Sequence, residues 1–321
     1  MKLRPFRLTL LGLTCLIPAA LGAVLLFLAL FSWPAIRFNG IGFLLSETWS
    51  LGNLYADPVK QGGMLVPIGA SYGILVFLVG TLATSAIALL IAVPVSLGVA
   101  MFLAEGVSPR LRGGLALIVE MLAVVPSVVY GLWGVTVLVP LVAHVLAPAL
   151  SDAIGFIPFF RVTSGSGFGL FAAALVLTLM VVPIITTTVL DALTRVPREA
   201  KEAAYALGTT RFEMVRKAML PMVRPSIVGA VILGLGRALG ETMAVLMVSG
   251  GALNYLPGTI NSPVSTMASF IVSQLDSAEQ DPTGMAVRSL AEIALVLFII
   301  TVVVNVIARL MVRGVGKPAR V

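Results

Sequence analysis

The chain carries one cysteine and one histidine in 321 residues, and only 11% of its residues are charged. A single thiol, Cys15, allows no intrachain disulfide, so cysteine usage leaves the redox compartment open. One histidine, His144, no cysteine cluster and no acids paired at ligand spacing argue against a metal site. Soluble domains carry about 25% charged residues, so this little charge excludes an ordinary globular enzyme. No glycine-rich phosphate loop of the Walker type is present, and nucleotide hydrolysis is not expected here. Convincing internal repeats are lacking too, which weighs against a transporter built from inverted halves.

What fills the chain instead is apolar sequence. Hydrophobic residues make up 59%, and the mean hydropathy is +1.08. The apolar runs are long and continuous rather than short and alternating, so the expected fold is an all-α integral membrane protein. Six spans are expected, at about 8–33, 71–103, 115–143, 168–190, 221–249 and 286–310. Each approaches or exceeds the roughly 20 residues that cross a bilayer. Pro94 supplies a bend in the long second span. The first run could pass for a secretion signal, since Ala20-Leu21-Gly22-Ala23 looks like a cleavage site. It continues to Trp33, beyond the 7–15 apolar residues, roughly, of a signal, and is read as a retained span. His144 is expected in a solvated loop at the outer end of the third span.

The formal net charge of +7 is distributed as a topology signal. Sixteen of the 21 Lys and Arg residues fall at the N-terminus, in the second and fourth connections and in the tail; only Arg37, Lys60, Arg161 and Arg288 fall on the other side. The positive-inside rule therefore places both termini in the cytoplasm. The outer connections, at 52–70, 148–167 and 250–265, are rich in Gly, Pro, Ser and Asn and too short for independent domains. The division is 1–70, a first helix and outer loop; 71–312, a transmembrane core; and 313–321, a basic tail.

Between the fourth and fifth spans lies a charged, Ala-rich stretch, 198–208. Pro197 suits a helix start, Arg198 to Leu207 are good helix formers, and Gly208 can take the left-handed stop. Thr209 or Thr210 can cap a second helix from Arg211, with Glu213 at capping-box distance from Thr210. Ala203, Ala204 and Gly208 leave room for a partner's backbone, and Glu199 and Glu202 can orient it. A merely solubilising loop is the plainer alternative.

Glu202-Ala203-Ala204, three residues, Gly208, nine residues, Ala218, one residue, Leu220-Pro221 resembles the cytoplasmic signature of ABC-importer permeases. Only Ala218 departs, where that family usually has Ile. The resemblance implies an ABC type-1 importer core of the MetI-like kind, whose helix docks on an ATP-binding subunit. The loss of bulk at Ala218 is expected to weaken packing rather than function.

The fifth span contains Gly234-Leu235-Gly236-Arg237-Ala238-Leu239-Gly240-Glu241-Thr242-Met243-Ala244. Arg237 lies 11 residues beyond Ser226, about 16 Å of helix, and so near the middle of a bilayer. An arginine there costs at least about 2.5 kcal/mol and usually faces a cavity or a partner. Glu241, four residues on, is expected on the same face. The pair is either a self-neutralising lock or an anion site in a translocation path, since the guanidinium fork matches phosphate oxygens. Gly236 and Gly240 are expected to let a neighbouring helix pack closely. Glu120 and Glu292 are possible partners for Arg237.

This stretch, with Val125-Pro126-Ser127-Val128-Val129-Tyr130-Gly131 in the third span, is similar to phosphate-specific ABC importer permeases. Met243-Ala244 after Glu241-Thr242 departs from the sister permease, PstA, which typically has Ala-Pro there. The likeness covers about 71–310. It implies a bacterial inner-membrane permease that forms half of a phosphate pathway, with Arg237 and Glu241 in that path and Glu120, Glu292 and Ser127 as secondary positions. Glu199, Glu202, Ala203, Ala204, Gly208, Leu220 and Pro221 would couple it to the ATPase. The implied partners are a PstA-like permease, two PstB-like ATP-binding subunits carrying ATP and Mg, and a PstS-like periplasmic phosphate-binding protein. A permease for sulfate or molybdate is the near alternative, and an ion-coupled secondary transporter or channel the distant one.

Overall fold

The computed structural model describes residues 3–162 and 165–315. The last residues of the expected basic tail, 316–321 with Lys317 and Arg320, lie outside the described residues. Helix α1 (Leu3–Asn39) is followed by a single turn, α2 (Gly42–Leu45), and four short strands, β1 (Trp49–Ser50), β2 (Val59–Gln61), β3 (Met64–Val66) and β4 (Ser71–Tyr72). Then come α3 (Leu75–Met101), α4 (Pro109–Val124), α5 (Ser127–Trp133), α6 (Val139–Leu141), α7 (Ala147–Ile154), α8 (Leu170–Thr194) and α9 (Arg198–Ala206). The chain closes with α10 (Arg211–Glu213), α11 (Leu220–Leu239), α12 (Met243–Val248), α13 (Met267–Glu279) and α14 (Met285–Val315). Among the described residues six helical stretches are long and apolar enough to cross a membrane, running from Thr9, Leu75, Ser127, Leu170, Arg211 and Met285.

Two expected spans are broken. The third is interrupted at Val125-Pro126, because Pro126 has no N–H to donate and its extended backbone, ψ 142°, starts α5 afresh. The fifth is interrupted at Gly240–Thr242, between α11 and α12. In contrast, α3 runs through Pro94 without interruption. His144 is exposed but sits in a π-helical turn, Val142–Leu146, rather than in a loop.

The chain divides into two compact units. In the first, residues 1–75 and 271–299, the connection between α1 and α3 is partly folded. Strands β2 and β3 pair as a hairpin across Gly62-Gly63, whose φ values of 61° and 81° suit the tight turn. Strand β1 pairs with β4 in the register Trp49↔Tyr72. The Trp49 and Tyr72 rings meet edge-on at 5.1 Å, both buried. Burial, with the Asp281 carboxylate as a smaller cause, holds the Tyr72 hydroxyl above its ordinary range. Glu292, 4% exposed, accepts a hydrogen bond from Asn39 Nδ2 at 2.8 Å, which joins α14 to α1.

The second unit, residues 76–270 and 300–321, is organised around α8. This helix is rich in small and β-branched residues, and 67% of its apolar window is buried. Four of its five threonine hydroxyls donate to backbone carbonyls, and the buried Thr186 hydroxyl is the exception. Thr178 donates to Ala174 O and to Ala88 O of α3, and Ser96 of α3 donates to Val182 O. Gly80 of α3 is pressed against the Ser265 carbonyl, and Thr81 Oγ1 accepts from Met267 N at 2.8 Å. These contacts tie the connection before α13, and the start of α13, to α3.

Candidate functional site

Helix α11 does not begin as a separate helix. It continues α10 and a π-helical segment, Met214–Met219, so one helical rod runs from Arg211 to Leu239. Twenty-six residues separate Arg211 from Arg237, about 39 Å at 1.5 Å per residue. The rod packs along α8 where it has no side chain: a methyl added at Gly234 would meet Val181 Cγ1 at 2.7 Å and Ile185 at 3.1 Å. The close approach expected at Gly236 and Gly240 is therefore made at Gly234 instead. Gly236 faces open space, and Gly240 meets only the Gly236 carbonyl, at 3.6 Å. A period of 3.6 residues turns Gly236 about 200° away from Gly234, so the two cannot share a contact.

Arg237 sits in the last turn of α11, and Glu241 lies beyond that turn's end. Their expected proximity is present, with Arg237 Nη2 3.7 Å from Glu241 Oε2. The geometry differs from one continuous helical face. Glu241 is in the break, and its other oxygen accepts from Ala244 N at 3.4 Å, an otherwise free donor in the first turn of α12. The carboxylate is 7% exposed and the guanidinium 44%. The acid is thus anchored by backbone, while the arginine lies over it and remains accessible from one side. A broken helix at membrane depth is tolerated where it is packed by protein or lines a cavity.

The second broken span packs on the first. A methyl at Gly131 of α5 would meet Met247 Sδ at 2.6 Å and Ala244 Cα at 3.2 Å, and one at Gly134 would meet Val248 at 2.8 Å. The contacts advance in the same direction along both chains, so the starts of α5 and α12 lie at one end of the pair. Ser127, the first residue of α5, is partly buried there. Of the other expected partners, Glu120 is exposed on α4, and within the first unit Glu292 is engaged by Asn39. A buried carboxylate takes the nearest donor, and for Glu292 that donor comes from α1.

The charged loop forms as its composition predicts. α9 stops at Ala206, and Gly208 adopts the left-handed φ of 79°. The capping box is complete, since Thr210 Oγ1 accepts from Glu213 N and Glu213 Oε2 accepts from Thr210 N at 3.1 Å. Pro197 stands at the cap itself, with ψ 143°, rather than in the first turn. Glu199, Glu202 and Ala203 are exposed and nothing approaches Gly208. Ala204 is not open to a partner as expected. It is 8% exposed, packed in the same core as Met214, Val215 and Met219. One turn back, Ala200 lies on the same buried stripe, and Ala218, Leu220 and the π-helical segment supply the opposite wall. The missing bulk at Ala218 falls within this packed layer. Pro221 is exposed in the first turn of α11.

One residue with no sequence signal completes this region. Glu105, in the π-helical end of the second span, receives Lys201 Nζ at 2.6 Å and lies 4.0 Å from Arg211. Its side chain is 15% exposed. It pins α9 and the start of the rod to α3, across 96 residues of sequence. Arg112 donates to the Ala104 carbonyl beside it. The break after α11, the rod and the clamped α9 form one connected system.

Residues 96–318 match the family described as "Binding-protein-dependent transport system inner membrane component". A Mycobacterium tuberculosis protein, "Phosphate transport system permease protein PstC 1", is 49% identical over 288 residues, covering 89% of this chain and 85% of its own. The PstC protein of Pasteurella multocida is 40% identical over 300 residues, with 92% and 87% covered. A "probable" PstC from Methanocaldococcus jannaschii is 34% identical over 274 residues, with 85% and 82% covered. Among solved structures, a chain of the MetNI methionine ABC transporter superposes with a TM-score of 0.51 at 20% identity, over 76% of this chain and 95% of that one. A chain of a bacterial alginate ABC transporter, in complex with an alginate pentasaccharide-bound periplasmic protein, gives 0.53 at 19% identity, over 74% and 77%. These two likenesses show the fold, an ABC-importer permease fold. The chain belongs to the family of binding-protein-dependent transport system inner membrane components, alongside the PstC permeases, as a multi-pass transport subunit.

Proposed function

We propose that this chain forms half of the translocation pathway of an ATP-driven importer for inorganic phosphate. The observation that carries the proposal is the Arg237–Glu241 pair at the break of the fifth span, in a chain whose relatives are phosphate transport permeases. Glu241 is held by the backbone of α12, whereas the Arg237 guanidinium is open on one side. Phosphate competes with Glu241 for the guanidinium fork, and the carboxylate repels the bound anion enough to prevent permanent capture. One arginine cannot neutralise a dianion, so a PstA-like permease supplies a second cation. Ser127, at the start of the half-helix packed on α12, is a secondary position on the path, with Glu120 and Glu292 as further candidates.

Energy enters from below. Glu199, Glu202, Ala203 and Gly208 present the exposed face of α9 to one of two PstB-like ATP-binding subunits, which carry ATP and Mg. Ala204, Leu220 and Pro221 transmit its motion into the rod. Both termini are cytoplasmic, and a PstS-like periplasmic protein delivers phosphate from the other side. Residues 1–70 act as an outer helix and loop, 71–312 as the transport core and 313–321 as a basic tail.

The test is reconstitution of the complete transporter in vesicles, with labelled phosphate outside the membrane face that receives the binding protein. Uptake should require ATP and the ATPase, and resist a tenfold excess of sulfate or molybdate. Uptake of sulfate or molybdate in place of phosphate would transfer the assignment to another oxyanion. Uptake that ignores ATP would remove the importer assignment altogether.

A further inference from the structure

A groove along α11, which runs from Met222 up to Gly236 just short of the Arg237–Glu241 pair, has the makings of a second anion site at its far end. Two cavities lie on it within the second unit, of about 870 Å³ and 320 Å³. They share Ile232, Leu233 and Arg309, so they form one continuous depression between α11 and its neighbours. Its lower end is polar, lined by Arg195 at the end of α8, Arg309 of α14, Ser226 and Asp191. Its upper end is walled by Ile232, Leu233, Val302 and Val306, with Asn305 and Arg309 as its polar members, and reaches Gly236. From Met222 to Gly236 the groove follows 14 residues of helix, about 21 Å.

Neither arginine has an ion-pair partner among the described residues. Two arginines and one aspartate leave one net positive charge in the polar end. Ser226 adds a hydroxyl donor. That combination suits a single negative charge spread over phosphate oxygens better than a dianion. An apolar wall above a basic pocket on the cytoplasmic side is the pattern that holds lipid head groups. The length also agrees, since half a hydrocarbon core is about 15 Å and a head group adds the remainder.

We propose that this groove binds a phosphate-bearing anion through Arg195, Arg309 and Ser226. The apolar upper half fits the acyl chains of an anionic phospholipid, and free inorganic phosphate shares the same head chemistry. The cytoplasmic placement rests on the orientation given under Proposed function. A bound lipid would steady the same rod that carries Arg237 at its end, so the membrane's anionic lipid content would bear on transport.

The experiment uses the full chain within its purified transporter, in an Arg237→Gln background so that the site at the break contributes nothing. The complex is equilibrated with mixed micelles of phosphatidylglycerol and phosphatidylcholine, and retained lipid is counted by native mass spectrometry. Phosphatidylglycerol should be retained preferentially. Retention should fall at least tenfold in Arg195→Gln/Arg309→Gln, recover largely in Arg195→Lys/Arg309→Lys, and stay unchanged in Arg161→Gln on the outer side. Binding of labelled inorganic phosphate to the same set is the second arm. If phosphate binding falls in the double Gln variant while lipid retention does not, the site belongs to free phosphate. If neither probe distinguishes the double Gln variant from its parent, the proposal fails, and the phosphate-importer assignment is unaffected.

Discussion

At the level of single residues, the Arg237–Glu241 pair combines a backbone-anchored carboxylate and a more accessible guanidinium. Glu241 is anchored by the first turn of α12, so the arginine is the member free to take a new partner. Arg237→Gln should lower phosphate uptake at least tenfold while the complex still co-purifies. Arg237→Lys should recover only part of it, because an ammonium is a point charge and not a planar fork. Full uptake in the Gln variant would show that the pair is a structural lock. Packing makes an equally local prediction. Gly234→Val places methyl groups into Val181 and Ile185 and should destabilise the protein by about 1–3 kcal/mol. Gly236→Ala, on an open face, should leave the thermal midpoint within a degree or two. Equal effects from the two substitutions would contradict the observed contact between α11 and α8.

Among the elements, α9 and the rod beginning at α10 are held by a shared clamp. Glu105 holds Lys201 and neighbours Arg211, so the loop and the rod meet at one carboxylate. Glu105→Lys should uncouple ATP hydrolysis from uptake, and adding Lys201→Glu should restore a large part of the coupling. If the double variant is no better than the single one, the clamp is not what couples them. A distinct result is expected from Glu202→Lys, which sits on the exposed face of α9. It should weaken co-purification of the ATP-binding subunit, whereas the Glu105 variants should keep the subunit bound but poorly coupled. The helix itself was readable in advance from Pro197, its alanines, Gly208 and the Thr210–Glu213 capping box, all of them local signals. The clamp was not, because Glu105 and Lys201 are 96 residues apart and no periodicity marks either. Helix α13 was missed for a different reason. Its start depends on Thr266 and Ser269 capping one another, a weak signal beside six long apolar runs.

For the molecule as a whole, orientation is open to direct measurement. Cys15 is the chain's one cysteine, so Cys15→Ser gives a clean background. A cysteine at Tyr55, which is 99% exposed in the outer loop, should react with an impermeant maleimide in intact cells. A cysteine at Glu202 should react only after permeabilisation. The reverse pattern would invert the proposed topology. Composition and apolar run length were sufficient for the membrane class and the number of spans, because crossing a bilayer imposes a length and a hydropathy that no distant contact can waive. Helix capping likewise acts within a few residues and could be read in order along the chain. Where the spans break, which glycine touches α8 and which acid holds α9 depended on folding. Those features arise where segments distant in sequence meet. The same Gly-Arg-Ala-Leu-Gly-Glu string is compatible with an unbroken helix until α5 packs against α12 and the backbone of α12 takes the Glu241 carboxylate.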